Sequence, residues 1–476
     1  MSFTLHQVLE WTQGKIHHSV PHALKMDFSF SGIGTDTRKN LSGKLFVALK
    51  GDQFDGHDFL LQAEKAGAAA ALVHQIPSAA TSLQIPLVLV ADSLVGLQSL
   101  SHHYRLQSKA LILAITGSNG KTTSKEFAAA IIGAHKKVHY SQGSFNNHWG
   151  VPFTLLDIQP QIEVAVVEMG MNHSGEIKDL VQIAEPDVVV CTTVGRAHIE
   201  NFGSVEGISA AKEEIYIHAP ATTQRIFNLD NPWTEKMHSK AAKQYPKAGV
   251  WTFSAENKQA DVFFKIEKLS MQSLTLSGSI QGQPGQVEVP VFGEQNLCNL
   301  MVASALALAA GLSPEQIWFS LPLCKTNWGR NQLVKVASGA EVIFDGYNAN
   351  PDSMAALLKN MRLLKNSGQK IGVFGQMLEL GDIAKAAHQE LAVQAVAAGL
   401  QRIYFIGALA EVFKETLLEN NFAGSVWAEN EFSTAMADDL KKHLLTNDIA
   451  VIKGSRGMKM ERFLLACEPL DFSTKA

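Results

Sequence analysis

A lysine and a threonine directly after a glycine-rich turn can hold phosphate. This chain has that arrangement in Thr116-Gly117-Ser118-Asn119-Gly120-Lys121-Thr122-Thr123. Backbone N–H groups of such a turn point at phosphate oxygens, the lysine supplies a point charge to the β- and γ-phosphates, and the hydroxyl reaches Mg²⁺. Lys121 and Thr122 are the candidates for these two roles. The common form of the loop has a further glycine where Ile115 stands, so this is a shorter variant in which Gly117 makes the early turn. Downstream, Glu168 has the chemistry of a cation-binding carboxylate, and His198 that of a metal or phosphate contact. Lys212, beside Glu213 and Glu214, reads from spacing alone as a solvated helix face.

Such groups act together only if the fold carries them to one place. Residues 111–115 form an apolar run with the length and branching of a buried strand, and 124–134 is apolar at helical spacing. Strand, glycine-rich turn and helix together are the setting in which a phosphate loop makes physical sense. Residues 164–167 read as a strand ending at Glu168, and 187–192 as one that ends just before Gly195-Arg196-Ala197-His198. Ligands in open α/β sheets collect at such carboxyl ends. Residues 144–152 form a polar, glycine-punctuated loop. Residues 256–292 alternate like hairpins, with a turn at Gly282-Gln283-Pro284-Gly285, and 300–310 is a small-residue helix.

A chain of 476 residues exceeds one ordinary core, so two to four domains are expected. We place units at 1–106, 107–324 and 325–476. The first is a small α/β module with strands at 45–49, 68–73 and 87–90, a polar turn at 52–58 and a helix at 59–66. Its Asp36 and Arg38 fit a turn salt bridge as well as a ligand contact. The last unit alternates strand and helix, with strands at 341–345, 370–375, 402–407, 426–428 and 449–453, which predicts a mostly parallel, doubly wound sheet.

Composition narrows the function classes. Hydrophobic residues make up 46% and charged residues 18%, as in ordinary globular proteins. A net charge of −4 gives no basic field for nucleic acid. The N-terminus lacks the pattern of a signal peptide, and no apolar stretch is long enough to span a bilayer. A cytoplasmic location and no membrane partner are therefore expected. Cys191, Cys298, Cys324 and Cys467 lack metal-ligand spacing and read as buried thiols. The doublets His17-His18 and His102-His103 read as surface residues.

Taken together, the motifs resemble the Mur ligase family across essentially the whole chain. The carrying residues are 35–38 with 45–58, 116–123, 144–152, Glu168-Met169-Gly170, 195–198, Ala211-Lys212, 296–299, Gly329-Arg330 and 345–351. The form Asp345-Gly346-Tyr347-Asn348-Ala349-Asn350-Pro351 is similar to that of the branch adding a dipeptide. The third-residue-adding branch typically carries Asp-Asn-Pro-Arg and Asp-Tyr-Ala-His, and both are missing here. The resemblance implies an N-terminal UDP-muramoyl-binding domain, a phosphate-loop central α/β domain and a C-terminal Rossmann-like domain. It also implies ATP-dependent ligation of D-Ala-D-Ala to a UDP-MurNAc-tripeptide by a monomer, with two Mg²⁺ sites.

By the same resemblance, Lys121, Glu168, His198 and Lys212 are catalytic, and Thr122, Glu168, His198 and a carbamylated Lys212 hold Mg²⁺. Gly117, Ser118, Asn119, Gly120, Lys121, Thr122, Thr123, Asn296, Arg330 and Asp345 contact ATP. Asp36, Arg38, Asn146, Asn147, Tyr347, Asn348 and Asn350 contact substrate. Gln295 stands where the family usually has histidine. The rival readings are a sibling ligase using another acceptor and a nucleotide-dependent switch. The Asn-Lys-x-Asp motif of a guanine-reading switch is missing from the sequence.

Overall fold

The computed structural model describes residues 2–17, 24–51, 53–77, 82–244 and 249–473. His18 of the first histidine doublet and Asp52 of the expected polar turn lie outside these residues. In chain order the first strands are β1 (Phe3–Thr4), β2 (Lys15–His17), β3 (Ser29–Phe30), β4 (Ile33–Gly34), β5 (Leu45–Val47), β6 (Ala70–Val73) and β7 (Leu87–Leu89). β1 pairs with β3, and the other five form a sheet in the order β2-β7-β6-β5-β4. The expected helix at 59–66 is shorter: a 3₁₀ turn, Gly56–Phe59, precedes the α-helix Leu60–Lys65. Asp55 accounts for the turn, because its carboxylate accepts from the His57 N–H at 3.0 Å and fixes the chain's entry.

Nine strands follow: β8 (Leu111–Thr116), β9 (Val138–Tyr140), β10 (Val164–Glu168), β11 (Val188–Cys191), β12 (Gln224–Asn228), β13 (Val250–Ser254), β14 (Val262–Leu269), β15 (Leu274–Ile280) and β16 (Gln283–Val289). They form one sheet in the order β16-β15-β14-β13-β12-β11-β8-β10-β9. All pairs from β14 to β9 are parallel, while β14, β15 and β16 form an antiparallel meander. β8 sits between β10 and β11, and the chain leaves it toward opposite sides, so its carboxyl end is a switch point. Leu113 and Ile115 pack on one face with Phe127, Ile131 and the helix Gln295–Ala309; Ile112 and Ala114 pack on the other with Ile177 and Ile208. Burial on both faces explains why β8 reads as a continuous apolar run.

Two helices start earlier than expected. The phosphate-loop helix is Lys121–Gly133, and the small-residue helix begins at Gln295. The turn expected at 282–285 is also displaced. Ile280 pairs with Gln283, so the turn is Gln281-Gly282, with φ of 47° and 76°. This two-residue turn has both φ values positive, as in the type I′ form, and proline cannot supply them. Pro284 instead lies in the edge strand β16, opposite Ser279.

The last sheet contains β17 (Gln332–Lys335), β18 (Glu341–Asp345), β19 (Lys370–Gly375), β20 (Arg402–Ile406), β21 (Ser425–Glu429) and β22 (Ile449–Lys453), in the order β17-β18-β22-β19-β20-β21. It is parallel except for β17, an antiparallel edge strand that the periodicity did not reveal. No helix among the described residues is long and apolar enough to cross a membrane. All four cysteines are free; Cys191, Cys324 and Cys467 are buried and Cys298 is partly so.

Candidate active site

The loop after β8 needs its glycines. Gly117 and Gly120 have φ of 148° and 82°, and a Cβ at either would collide with the Thr192 or Asn299 side chain. A cleft of about 570 Å³ opens over this loop. The central sheet contributes Ser118, Asn119, Gly120, Lys121, Thr122 and Thr123 to it, with Asn146, Glu168, His198 and Asn296. Arg330, Asp345, Tyr347, Asn348 and Asn350 line it from the last sheet's side. Gly117 and Lys212 are not among the lining residues.

Lys121 folds back to donate to the Gly117 carbonyl at 2.7 Å, and burial lowers its pKa against the opposing pull of Glu168. The Thr122 hydroxyl donates to Glu168 Oε1 at 3.2 Å, and Asn146 Nδ2 donates to the same oxygen at 2.8 Å. Glu168 Oε2 is buried without an aligned hydrogen bond; the Lys125 ammonium stands 3.4 Å away as an ion pair. A buried carboxylate oxygen left short of donors beside a threonine hydroxyl is a donor set that fits a hard cation. Among the described residues no group of three or more His, Cys, Asp and Glu could hold a metal. A cation here therefore needs ligand oxygens beyond the protein's own, which suits Mg²⁺ on nucleotide phosphates.

The last unit reaches across the cleft. Arg330 Nη2 donates to Thr122 Oγ1 at 3.2 Å, and its guanidinium lies 4.0 Å from the Tyr347 ring centre. Asn350 Nδ2 donates to Asn119 Oδ1 at 2.8 Å. The register between β18 and β22 sets Asp345 beside Lys453, which forms a buried ion pair with it. Lys212, on the helix Val205–Ile217, is only 2% exposed. It makes no hydrogen bond or ion pair among the described residues. Burial, aided by the charge of Lys121, pulls its pKa down to about 7. The solvated helix face suggested by spacing is thus corrected: packing turns Lys212 inward.

Comparison with known proteins decides the lineage. The family model for the Mur ligase middle domain matches residues 115–307, that for the Mur ligase, glutamate ligase domain matches 329–456, and that for the Mur ligase family, catalytic domain matches 29–101. The chain belongs to the Mur ligase family. It is 34% identical, over 91% of its length and 92% of the relative's, to the UDP-N-acetylmuramoyl-tripeptide–D-alanyl-D-alanine ligase of Bacillus subtilis (strain 168). Its structure is similar to MurF from Acinetobacter baumannii, with a TM-score of 0.86, 30% identity and 98% of each chain covered. MurF ligase from Thermotoga maritima in complex with ADP gives 0.77, with 26% identity over 91% of this chain and 96% of that one.

In this Mur ligase a second cavity of about 500 Å³ includes Asp36 and Asn147 with Lys39, Lys44 and Trp149. Ser144 lines both cavities and so marks their junction. Arg38 is not among the lining residues. It is exposed and forks onto Asp36 at 2.8 and 3.0 Å, which holds the Asp36 carboxyl down at about 2. Sequence reasoning missed Lys125, four residues after Lys121 and fully buried, because it stands among the polar residues that open the helix. It also missed Glu379, which meets His198, and the role of Lys453 beside Asp345.

Gln295, where the family usually has histidine, accepts from Asn360 Nδ2 at 2.6 Å, while Asn360 Oδ1 accepts the Glu294 N–H at 2.9 Å. Asn360 is 1% exposed. Asn360→Ala leaves both partners unpaired and is expected to cost about 1–3 kcal/mol, read by urea unfolding. An unchanged midpoint would count against this clamp.

Proposed function

We propose that this Mur ligase joins D-alanyl-D-alanine to UDP-N-acetylmuramoyl-tripeptide in an ATP-dependent, ADP-forming reaction, the last cytoplasmic step toward the UDP-MurNAc-pentapeptide. Likeness over nearly the whole chain to ligases named for this reaction carries the reading. The enzyme acts as a monomer, with muramoyl-substrate binding by 1–106, ATP binding by 107–324, and completion of the nucleotide and D-Ala-D-Ala sites by 325–476.

The tripeptide's terminal carboxylate attacks the γ-phosphorus and breaks its bond to the bridging oxygen, giving an acyl phosphate and ADP. The dipeptide amine then attacks the acyl carbon, phosphate leaves, and one proton is lost. Carboxylate and γ-phosphate are both anionic, so their repulsion must be offset before they meet. Lys121 brings positive charge from below the phosphates, and Arg330 brings it from the opposite wall. Asp36 and Asn147 line the cavity offered to the muramoyl substrate, Arg38 stands outside it on Asp36, Asn146 lies on the phosphate side at Glu168, and Tyr347, Asn348 and Asn350 line the acceptor side. Thr122 and Glu168 would hold one Mg²⁺, and, as the family resemblance implies, His198 and a carbamylated Lys212 would hold the second. Bound Mg²⁺ supplies charge neutralisation on the phosphates. The burial of an unpaired Lys212 supports carbamylation: its neutral amine adds to CO₂, forms an N–C bond and releases a proton, leaving an anionic oxygen ligand.

The test is phosphate release from ATP and Mg²⁺ with UDP-muramoyl tripeptide, comparing D-Ala-D-Ala with single amino acids. Release requiring both tripeptide and D-Ala-D-Ala is expected. Release with another acceptor would move the chain to a sibling ligase, and no coupled release would overturn the ligase reading.

A further inference from the structure

The segment after β11 carries two basic residues, and carboxylates of the last unit grip both. The Arg196 guanidinium meets Asp352 at 3.0 Å and Glu390 at 2.8 Å, while the Arg196 N–H donates to Asp352 at 2.7 Å. Two residues on, His198 Nδ1 lies 2.6 Å from Glu379 Oε2, an ion-pair contact not aligned as a hydrogen bond. The backbone brings them together under strain. His198 and Glu379 have φ of 59° and 62°, and the Glu200 N–H donates to the Glu379 carbonyl at 3.4 Å. Gly381, at φ 51°, lets the loop lie against Glu200. Positive φ at a histidine and at a glutamate costs energy, which the surrounding contacts must hold in place.

We propose that Glu379 is a positioning residue for His198: its carboxylate, 2.6 Å from Nδ1, favours the proton on that nitrogen and restrains the ring, so that Nε2 is left to a divalent cation. The inference rests on the reading of His198 as a cation ligand. A carboxylate on the far nitrogen of a ligating histidine orients the ring and raises its basicity. Here that carboxylate comes from the last unit, so the histidine is aimed only while the last unit is docked on the central one. The segment's second grip, through Arg196, holds the same docking.

Binding of Mn²⁺ in the presence of a non-hydrolysable ATP analogue, followed by the electron paramagnetic resonance of free Mn²⁺, tests this without turnover. Wild-type enzyme is expected to take two ions, and Glu379→Ala to weaken one of them about tenfold or more. Glu379→Gln, whose amide oxygen can take the carboxylate oxygen's place beside Nδ1, is expected to keep most of the affinity. The Glu379 side chain is 54% exposed, so neither change threatens folding. His198→Ala serves as the reference and should lose the same ion. If it does while Glu379→Ala binds like wild type, the positioning role is overturned. If His198→Ala itself binds both ions normally, the reading of His198 falls and the inference with it.

Discussion

Replacing Lys121 by alanine is expected to lower turnover by about 10²–10³ or more while leaving the fold intact. The ammonium contributes one hydrogen bond to the loop, to the Gly117 carbonyl at 2.7 Å, but the loop's path is set by its glycines. Gly117 and Gly120 set it through φ values open to glycine, and the helix behind it is fixed by Phe127 and Ile131 in the core. The variant therefore loses charge at the phosphates and one loop hydrogen bond, while the fold keeps its core. Steady-state phosphate release, paired with a thermal melt, separates the two effects. Near-normal turnover in a folded variant would sink the phosphate-loop assignment.

Lys212→Ala is expected to be as damaging, for a different reason. A buried lysine with no hydrogen bond or ion pair is costly to keep charged, and a fold retains it at that cost when the side chain works in another form. As a carbamate it carries oxygens where the ammonium carries none. On the proposed carbamate reading alanine removes a cation ligand, so activity is expected to vanish and to return in part when acetate or another short carboxylate is added. Full activity without rescue would mean that Lys212 only fills space in the helix Val205–Ile217.

The sequence disclosed those parts of the site that depend on local pattern. β8, β10 and β11 are buried on both faces, so their apolar runs gave their ends away, and Glu168 and His198 stood out as polar residues there. The parallel rhythm of β18 to β22 was legible for the same reason. Short strands with partly exposed residues, β9 and β17, carry too few alternations to register. Lys125 and Lys212 were hidden because helical spacing says which face a residue shares, not which neighbour covers it. Contacts such as Arg330 to Thr122, 208 residues apart, exist only once two sheets have docked. The displaced 282–285 turn has a local cause: the turn formed, Gln281-Gly282, has both φ values positive, and proline cannot take either place.

The split cleft also bears on how the molecule comes apart. Thr122 and Asn119 belong to the central unit, and Arg330 and Asn350, which meet them, belong to the last one. A nucleotide lying between them binds the docked state and not the separated one. It therefore adds RT ln(1 + [L]/Kd) to the docking equilibrium, about 2.7 kcal/mol at a hundredfold excess over Kd. Saturation with nucleotide thus converts two cores that could loosen in turn into one cooperative unfolding unit, and the ligand becomes part of the structural cement.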